Sequence, residues 1–302
     1  MNPTVTPSGA ALGARIDNID LSKPLTDAAF DAIEKAFHDH LVIAISGQPY
    51  DDASLIRFGK RLGELEINVA RTFHHDRLPQ VTVLSNLTVD GKPLGSSDAG
   101  QMWHTDMSYN RISGRATLLH AHKVPVRDGQ PLGDTAFRNM YQAYEALPAA
   151  LRTRLDGLDA VHEFEKLWQT MIANGSRRPP YTDAQRAEKP AVVHPLVLVH
   201  PWTGRRALYV NRGLTKAIAG LPAAESDELL DFLFDHAEQP RFGYAHKWQV
   251  GDTLVWDNCA SIHLATGGYD SGTPRLMHRV QVTGDETLYR RHNQARGGRL
   301  HA

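Results

Sequence analysis

A succession of short β-like segments, each ended by a turn signal, constrains the fold of this chain more than any other feature. Residues 41–45 are apolar and mostly β-branched and stop at Gly47-Gln48-Pro49, and residues 253–256 follow the tight turn Gly251-Asp252. Such runs are typical of strands, because β-branched side chains pack well on a pleated surface and glycine and proline end the extended chain. Many short strands with frequent turns predict a jelly-roll barrel made of two sheets.

Helical patterns flank the predicted strands. Thr26 can cap a helix that runs to about residue 40, whose apolar residues Phe30, Ile33 and Phe37 share one face. Further helices are predicted at residues 54–62 and 223–236. The fold class that follows is mixed α+β, with a double-stranded β-helix (jelly-roll) core and flanking helices.

We predict a single domain over residues 1–302, because no linker or internal repeat divides the chain. Residues 148–190 combine helical patches with a polar, proline-containing stretch, which indicates a long insertion or lid. Residues 287–302 are basic and contain glycine, so we expect a flexible tail there.

Composition excludes several classes of function. The 302-residue chain has a formal net charge of -1, which gives no overall field for nucleic acid or an anionic membrane. Its one cysteine, Cys259, excludes an intrachain disulfide framework and cysteine-rich metal sites. Neither a signal peptide nor an apolar run of about 18 residues is visible, so we expect a cytoplasmic protein. The 16 histidines keep metal chemistry open.

The segment His104-Thr105-Asp106 is the first candidate site. In an extended chain residues i and i+2 point to the same face, so this imidazole and this carboxylate can take adjacent positions on one metal ion. One more histidine would complete the two-histidine, one-carboxylate set that leaves three positions open on Fe(II). The pair alone is a weak signal, since about one His-x-Asp is expected by chance and a second occurs at His74-His75-Asp76. A surface strand pair is the alternative.

A late segment supplies partners for this pair. His263 comes shortly after a predicted strand, and Arg275 and Arg279 lie four residues apart at the start of another. Positions four apart in a strand share a face, so both guanidinium groups can point into the barrel, where each would need an anion. The histidines that we expect to be structural include His120, His122 and His278.

Several short segments accompany these residues in a fixed order along the chain: Arg61-Leu62-Gly63-Glu64-Leu65, Trp103-His104-Thr105-Asp106, Gly133-Asp134-Thr135, His200-Pro201 to Tyr209-Val210-Asn211, Gly251-Asp252, Trp256-Asp257-Asn258 and Arg275 to Arg279. In this order and spacing, the chain resembles the taurine dioxygenase family (TauD/TfdA). These are the Fe(II)- and 2-oxoglutarate-dependent oxygenases that include the chlorophenoxyacetate dioxygenases. The resemblance spans nearly the whole chain.

The resemblance implies three groups of site residues. They are the Fe(II) ligands His104, Asp106 and His263, the 2-oxoglutarate contacts Thr135 and Arg275, and the substrate contacts Arg279, Asn68, Arg71 and Leu214. It also implies Fe(II) as the metal, with 2-oxoglutarate and O2 as cosubstrates. The expected reaction hydroxylates a small anionic molecule, such as a sulfonate, sulfate ester, aryloxyalkanoate or other carboxylate, and releases succinate and CO2.

Two departures from the family pattern bear on the substrate and on the site. Asn68 and Arg71 replace the His and Tyr that bind sulfonate in taurine dioxygenase, which argues against taurine itself. The interval from His263 to Arg275 is one residue longer than is usual in the family. A homo-oligomer is expected, since these are common in the family. A zinc hydrolase with the same triad and a non-catalytic jelly-roll binding protein stay open as alternatives, although the hydrolase leaves Thr135 and Arg275 without a role.

Overall fold

A computed structural model describes residues 2–67, 74–75, 77–176, 178–270 and 272–293. The predicted substrate contacts Asn68 and Arg71 lie outside the described residues, and so do residues 294–302 of the predicted tail. The helices are α1 (Asp27–His40), α2 (Asp52–Leu62), α3 (Met140–Glu145), α4 (Ala149–Leu155), α5 (Phe164–Ala173), α6 (Asp183–Glu188), α7 (Ala223–Ala237) and α8 (Glu286–Asn293), with a 3-10 turn at Pro240–Phe242.

The strands follow the predicted pattern of short segments joined by turns. In chain order they are β1 (Thr4–Pro7), β2 (Ala14–Asp17), β3 (Val42–Ile45), β4 (His74–His75), β5 (Leu78–Ser85), β6 (Thr88–Val89), β7 (Lys92–Pro93), β8 (Ala116–Lys123), β9 (Val126–Arg127), β10 (Gln130–Pro131), β11 (Thr135–Asn139), β12 (Asp159–His162), β13 (Val192–Pro195), β14 (Val197–Val199), β15 (Arg206–Leu208), β16 (Thr215–Ile218), β17 (Gly243–His246), β18 (Thr253–Asp257), β19 (Ser261–Ala265) and β20 (Leu276–Val282).

A sheet of eight strands, ordered β1-β2-β3-β18-β8-β20-β5-β4, forms the centre of the molecule. Strands β2 and β3 are parallel, and the other pairs are antiparallel. Where β8 meets β20, Leu118 lies opposite Val280 and Leu119 lies opposite Arg279. Because side chains alternate along a strand, these two pairs project from opposite faces of the sheet.

Helices α1 and α2 cover the face that carries Leu118 and Val280. Both residues share one buried core with Phe37 of α1 and Phe58 of α2. Helix α1 begins where predicted, because the Thr26 side chain accepts a hydrogen bond from the backbone of Ala29. We call this the helix face of the large sheet.

The other face packs against a second sheet, ordered β17-β11-β19. Leu119 and Met277 of the large sheet share a core with Phe137 of β11 and Ile262 of β19. We call this the inner face. The fold is thus mixed α and β with a large central sheet, covered by helices on one side and by further strands on the other.

Three segments differ from the expectation. Within residues 148–190, β12 pairs with both β13 and β16, so part of the predicted insertion belongs to a sheet. At the start of the predicted flexible tail lies helix α8, where Asn293 is buried and hydrogen-bonds both backbone groups of Val199. The third segment is residues 66–79, whose sequence has no strand period and predicts a loop, but which contains β4 and the start of β5.

Candidate active site

The backbones of His104 and His263 form an isolated antiparallel β-bridge. Each donates a backbone hydrogen bond to the other, with N···O distances of 3.1 Å from His104 and 2.7 Å from His263. Their ring centroids lie 4.1 Å apart. His263 lies within strand β19, opposite Phe137 of β11. The sequence pattern predicts no strand at Ser261–Ala265, and this short run becomes a strand by pairing with β11.

Asp106 completes a cluster with these two imidazoles. His104 Nε2 lies 3.7 Å from Asp106 Oδ1, and His263 Nε2 lies 3.8 Å from Asp106 Oδ2. Both separations are too long for a hydrogen bond. They suit two ligands of one ion, because bonds of about 2.0–2.2 Å place such atoms up to about 4.2 Å apart. All three residues are buried, so the cluster fits a metal ion held by two nitrogens and one carboxylate.

Polar partners orient two members of this triad, His104 and Asp106. His104 Nδ1 lies 2.8 Å from the carbonyl oxygen of Met102, and donating there leaves the Nε2 lone pair facing Asp106. Thr117 donates to Asp106 Oδ2 at 2.7 Å, and Asn258 donates to Thr117 Oγ1 at 3.1 Å. Sequence reasoning missed Thr117 and gave Asn258 only a place in a motif. The alternation of side chains along β8 predicts that Thr117 faces inward, but it does not predict its contact with Asp106.

The electrostatics favour the protonation states that a metal requires. Burial acts to raise the pKa of Asp106, but the charges of Arg279 and the two imidazoles lower it to about 2. Arg279 Nη1 lies 3.6 Å from Asp106 Oδ1. Burial, helped by the neighbouring His104, lowers the pKa of His263 to about 3. An ionised carboxylate and a neutral imidazole are the forms that bind metal ions.

Thr135 lies on the same face of the small sheet as His263. It stands two residues before Phe137, which is opposite His263, and it pairs with Ala265. Residues two apart share a face, so the Thr135 hydroxyl projects toward the side of the triad. Trp248 Nε1 donates to Thr135 Oγ1 at 3.0 Å, which fixes the hydroxyl and leaves its own hydrogen available to an anion.

Arg275 is a buried cation next to Gly133, which stands two residues before Thr135. Its backbone is held by Asn86, which accepts from the Arg275 nitrogen at 2.8 Å, and by Ser85, which donates to the Arg275 oxygen at 2.7 Å. A Cβ at Gly133 would lie only 3.7 Å from Arg275 Nε and 2.8 Å from the Tyr269 ring, so glycine permits this approach. Burial lowers the pKa of Arg275, and among the described residues no carboxylate pairs with it. Such a desolvated guanidinium is suited to a ligand carboxylate.

The predicted substrate contacts are only partly described. Arg279 lies beside the triad, as its distance to Asp106 shows. Leu214 is buried, and its neighbour Gly213 donates a backbone hydrogen bond to Trp103, directly before His104. The structure thus brings Arg279 and the backbone next to Leu214 close to the triad, while Asn68 and Arg71 lie outside the described residues.

Sequence comparison decides the family. The profile of the taurine catabolism dioxygenase TauD, TfdA family matches residues 4–281. The chain belongs to this family. A 2,4-dichlorophenoxyacetate dioxygenase of Cupriavidus pinatubonensis, named as α-ketoglutarate-dependent, is 32% identical over 95% of this chain and 100% of its own. Pentalenolactone F synthase of Streptomyces arenae is also 32% identical, over 91% of this chain and 94% of its own.

A solved structure agrees with the family assignment. AAD-2, in complex with Mn(II) and N-oxalylglycine, has a TM-score of 0.79 and 28% identity, covering 95% of this chain and 98% of its own. This TauD/TfdA protein is therefore an oxidoreductase, a dioxygenase that uses Fe(II), 2-oxoglutarate and O2. The zinc hydrolase and the non-catalytic binding protein are not supported. Among the described residues, no helix is both long enough and apolar enough to cross a membrane.

Proposed function

We propose that His104, Asp106 and His263 are the Fe(II) ligands of this dioxygenase. The observation that carries the proposal is the buried convergence of two Nε2 atoms on the two oxygens of one carboxylate. A set of two histidines and one carboxylate leaves three positions for other ligands. When bound, the iron supplies the activation of O2 by which 2-oxoglutarate loses CO2 and a substrate C–H bond is hydroxylated.

Thr135 and Arg275 are proposed to hold the distal carboxylate of 2-oxoglutarate. A planar guanidinium can bind a carboxylate with two parallel hydrogen bonds, and the Thr135 hydroxyl can add a third. The burial of Arg275 strengthens this contact, because it excludes competing water. Anchored at this end, the cosubstrate would extend toward the triad, and its orientation is then set by the protein rather than by the metal alone.

Arg279 is proposed to bind the anionic group of a small organic substrate. Its guanidinium reaches the edge of the triad, and Arg279 Nε is buried without a hydrogen-bond partner among the described residues. An anion held here would place the carbon next to it near the metal, where hydroxylation is expected. Leu214 is proposed to form an apolar wall, with Asn68 and Arg71 as polar substrate contacts.

The substrate class proposed is a sulfonate, sulfate ester, aryloxyalkanoate or other carboxylate. Sequence identity does not select among these, because relatives of equal identity are named for 2,4-dichlorophenoxyacetate and for pentalenolactone F. The residues at positions 68 and 71 argue against taurine. A small substrate of this kind needs neither nucleic acid nor membrane as a partner.

The type of β-core, the extent of the domain, the cellular location and the oligomeric state are proposed as well. The large sheet and the β17-β11-β19 sheet would form a double-stranded β-helix, since their facing side chains share one core. We propose one domain over residues 1–302, in which the part of residues 148–190 outside strand β12 serves as a lid to the site. A cytoplasmic homo-oligomer is the proposed state of the protein.

Anaerobic spectroscopy tests the iron and 2-oxoglutarate sites together. Addition of Fe(II) and 2-oxoglutarate should produce the weak visible charge-transfer band of a metal-bound keto acid, and His263→Ala should abolish it. An unchanged band in His263→Ala, or no band in the wild type, would contradict the assignment. Substrate-dependent succinate release across a panel of the anions above, with neutral methyl esters as matched controls, then tests the role of Arg279.

A further inference from the structure

A second cluster of two histidines and one aspartate lies on the helix face of the large sheet. His122 of β8 and His278 of β20 meet Asp52, the first residue of helix α2. His278 Nδ1 lies 2.6 Å from Asp52 Oδ1, and His122 Nε2 lies 3.9 Å from the same oxygen. The ring centroids of the two histidines are 4.2 Å apart. We call these three residues the outer cluster.

The outer cluster is separated from the active site by the sheet itself. His278 and Arg279 are consecutive in β20, so their side chains leave the strand on opposite faces. Arg279 points to Asp106 on the inner face, whereas His278 points to Asp52 at the start of α2. The two sets of residues therefore cannot share one ion.

The donor atoms of the outer cluster suit a transition-metal ion. One atom from each residue lies within 4.8 Å of the other two. Burial acts to raise the pKa of Asp52, but the two imidazoles outweigh it and hold the pKa below its usual value, so the carboxylate is ionised. His122 Nε2 is buried and accepts no hydrogen bond among the described residues. In the tautomer that carries its proton on Nδ1, this nitrogen can give its lone pair to a metal ion.

We propose that Asp52, His122 and His278 form a second metal site, which binds a divalent transition-metal ion such as Zn²⁺. Two imidazoles and one carboxylate are typical ligands of Zn²⁺, and a water molecule can complete a tetrahedral set. The side chains are between 12% and 29% exposed, which gives an ion and a water molecule access from solvent. Binding requires the short contact between Asp52 and His278 to open, because tetrahedral ligands lie about 3.4 Å apart.

An ion at this site would connect three parts of the chain. It would tie the first turn of α2 to β8 and to β20, the strand that carries Arg279 on its other face. Because metal binding favours only the folded arrangement of its ligands, occupancy would stabilise this region. The site has no access to the reacting atoms, so its role is structural.

Cobalt titration of the chelator-treated protein tests the proposal independently of the catalytic assignment. Titrated past two equivalents of Co²⁺ without 2-oxoglutarate, the wild-type protein should bind two ions per chain. A variant lacking the inner triad, Asp106→Ala/His263→Ala, should bind one ion, with the strong visible bands of tetrahedral Co²⁺, and Zn²⁺ should displace it.

Two variants remove the outer ligands with little change of shape. His122→Phe keeps an aromatic ring but has no ring nitrogen. His278→Asn keeps an N–H donor near the Nδ1 position that faces Asp52. Each should bind one Co²⁺ without the tetrahedral bands, and each should retain the anaerobic band with Fe(II) and 2-oxoglutarate. Binding of one ion only by the wild type would overturn the site. Persistence of the second ion in both variants would overturn it equally.

Discussion

Two clusters of the same composition lie on opposite faces of one sheet, and they are built differently. In the inner triad, the two imidazole Nε2 atoms stay 3.7 and 3.8 Å from the Asp106 carboxylate oxygens. In the outer cluster, His278 has closed on Asp52 to a hydrogen bond of 2.6 Å. The inner ligand side chains are held apart without hydrogen bonds to one another, whereas two residues of the outer cluster, His278 and Asp52, are hydrogen-bonded to each other.

The difference comes from the groups around each cluster. Backbone bonds between His104 and His263 fix the spacing of the inner imidazoles, and Thr117 occupies one lone pair of Asp106. Preorganised ligands of this kind do not need to give up a mutual hydrogen bond before they bind an ion. The outer cluster must break one, so we expect it to bind its metal more weakly than the inner triad does.

The largest expected effect separates the clusters by catalysis. Asp106→Ala should lower the rate of succinate formation by more than about a hundredfold, because it removes a metal ligand and leaves Arg279 unpaired. Asp52→Ala, the same change in the outer cluster, should keep activity within about twofold. Turnover of 2-oxoglutarate, with circular dichroism to check the fold, measures both. Equal losses in the two variants would refute the separate roles.

The next comparison concerns two arginines near the triad. Arg275→Lys should raise KM for 2-oxoglutarate by about ten- to a hundredfold, because a bidentate charged contact is lost while the charge is kept. Arg279→Lys should instead raise KM for the organic substrate and leave that for 2-oxoglutarate nearly unchanged. Steady-state kinetics with each component varied in turn distinguishes them. An equal effect of both variants on the same KM would argue against distinct anion sites.

Local patterns predicted those features that depend on neighbouring residues. The cap at Thr26 and the shared side of His104 and Asp106 both follow from spacings of two or three positions. Helix α2 begins two residues earlier than predicted, because Asp51 caps it by accepting from the Ser54 backbone. A side-chain cap at Asp51 could have been recognised from sequence.

Features that depend on strand register could not be predicted. His122 and His278 meet only because β8 and β20 are neighbours, with His120 directly opposite His278. The bond from Thr117 to Asp106 likewise depends on how β8 passes the turn that follows His104. No spacing along the chain encodes either contact, because both depend on which strands lie side by side.

A smaller effect should come from removing the hydrogen bond that Thr117 donates to Asp106. Thr117→Val keeps the side-chain volume but removes the hydroxyl that donates to Asp106, so Fe(II) affinity should fall by about tenfold. Thr253→Val is the matched control, since Thr253 is buried in the same sheet and its hydroxyl contacts Tyr50 and His120 on the helix face. Metal titration followed by the charge-transfer band measures the change. A loss of equal size in the control would show a general effect on the sheet.

The smallest effect concerns a pH-sensitive support of the inner site. His194 is buried, and its Nε2 donates to the carbonyl oxygens of Ser108 and Asn110, in the turn after Asp106. Its Nδ1 accepts from the Tyr289 hydroxyl at 2.7 Å, which requires the neutral ring. Burial lowers the pKa of His194 from 6.5 to about 4, despite the two backbone bonds, which act to raise it.

Between these two pKa values the unfolded chain binds a proton that the folded chain does not. The stability contributed by His194 is therefore complete above pH 6.5 and is lost as the pH falls toward 4. His194→Gln should reduce the fall in Tm between about pH 7 and pH 5 by about 2 °C, whereas the exposed His292→Gln should not. Thermal unfolding of the metal-free protein measures this difference. A fall as steep in His194→Gln as in the wild type would show that the acid sensitivity has its origin elsewhere, and that the turn after Asp106 does not depend on a neutral imidazole.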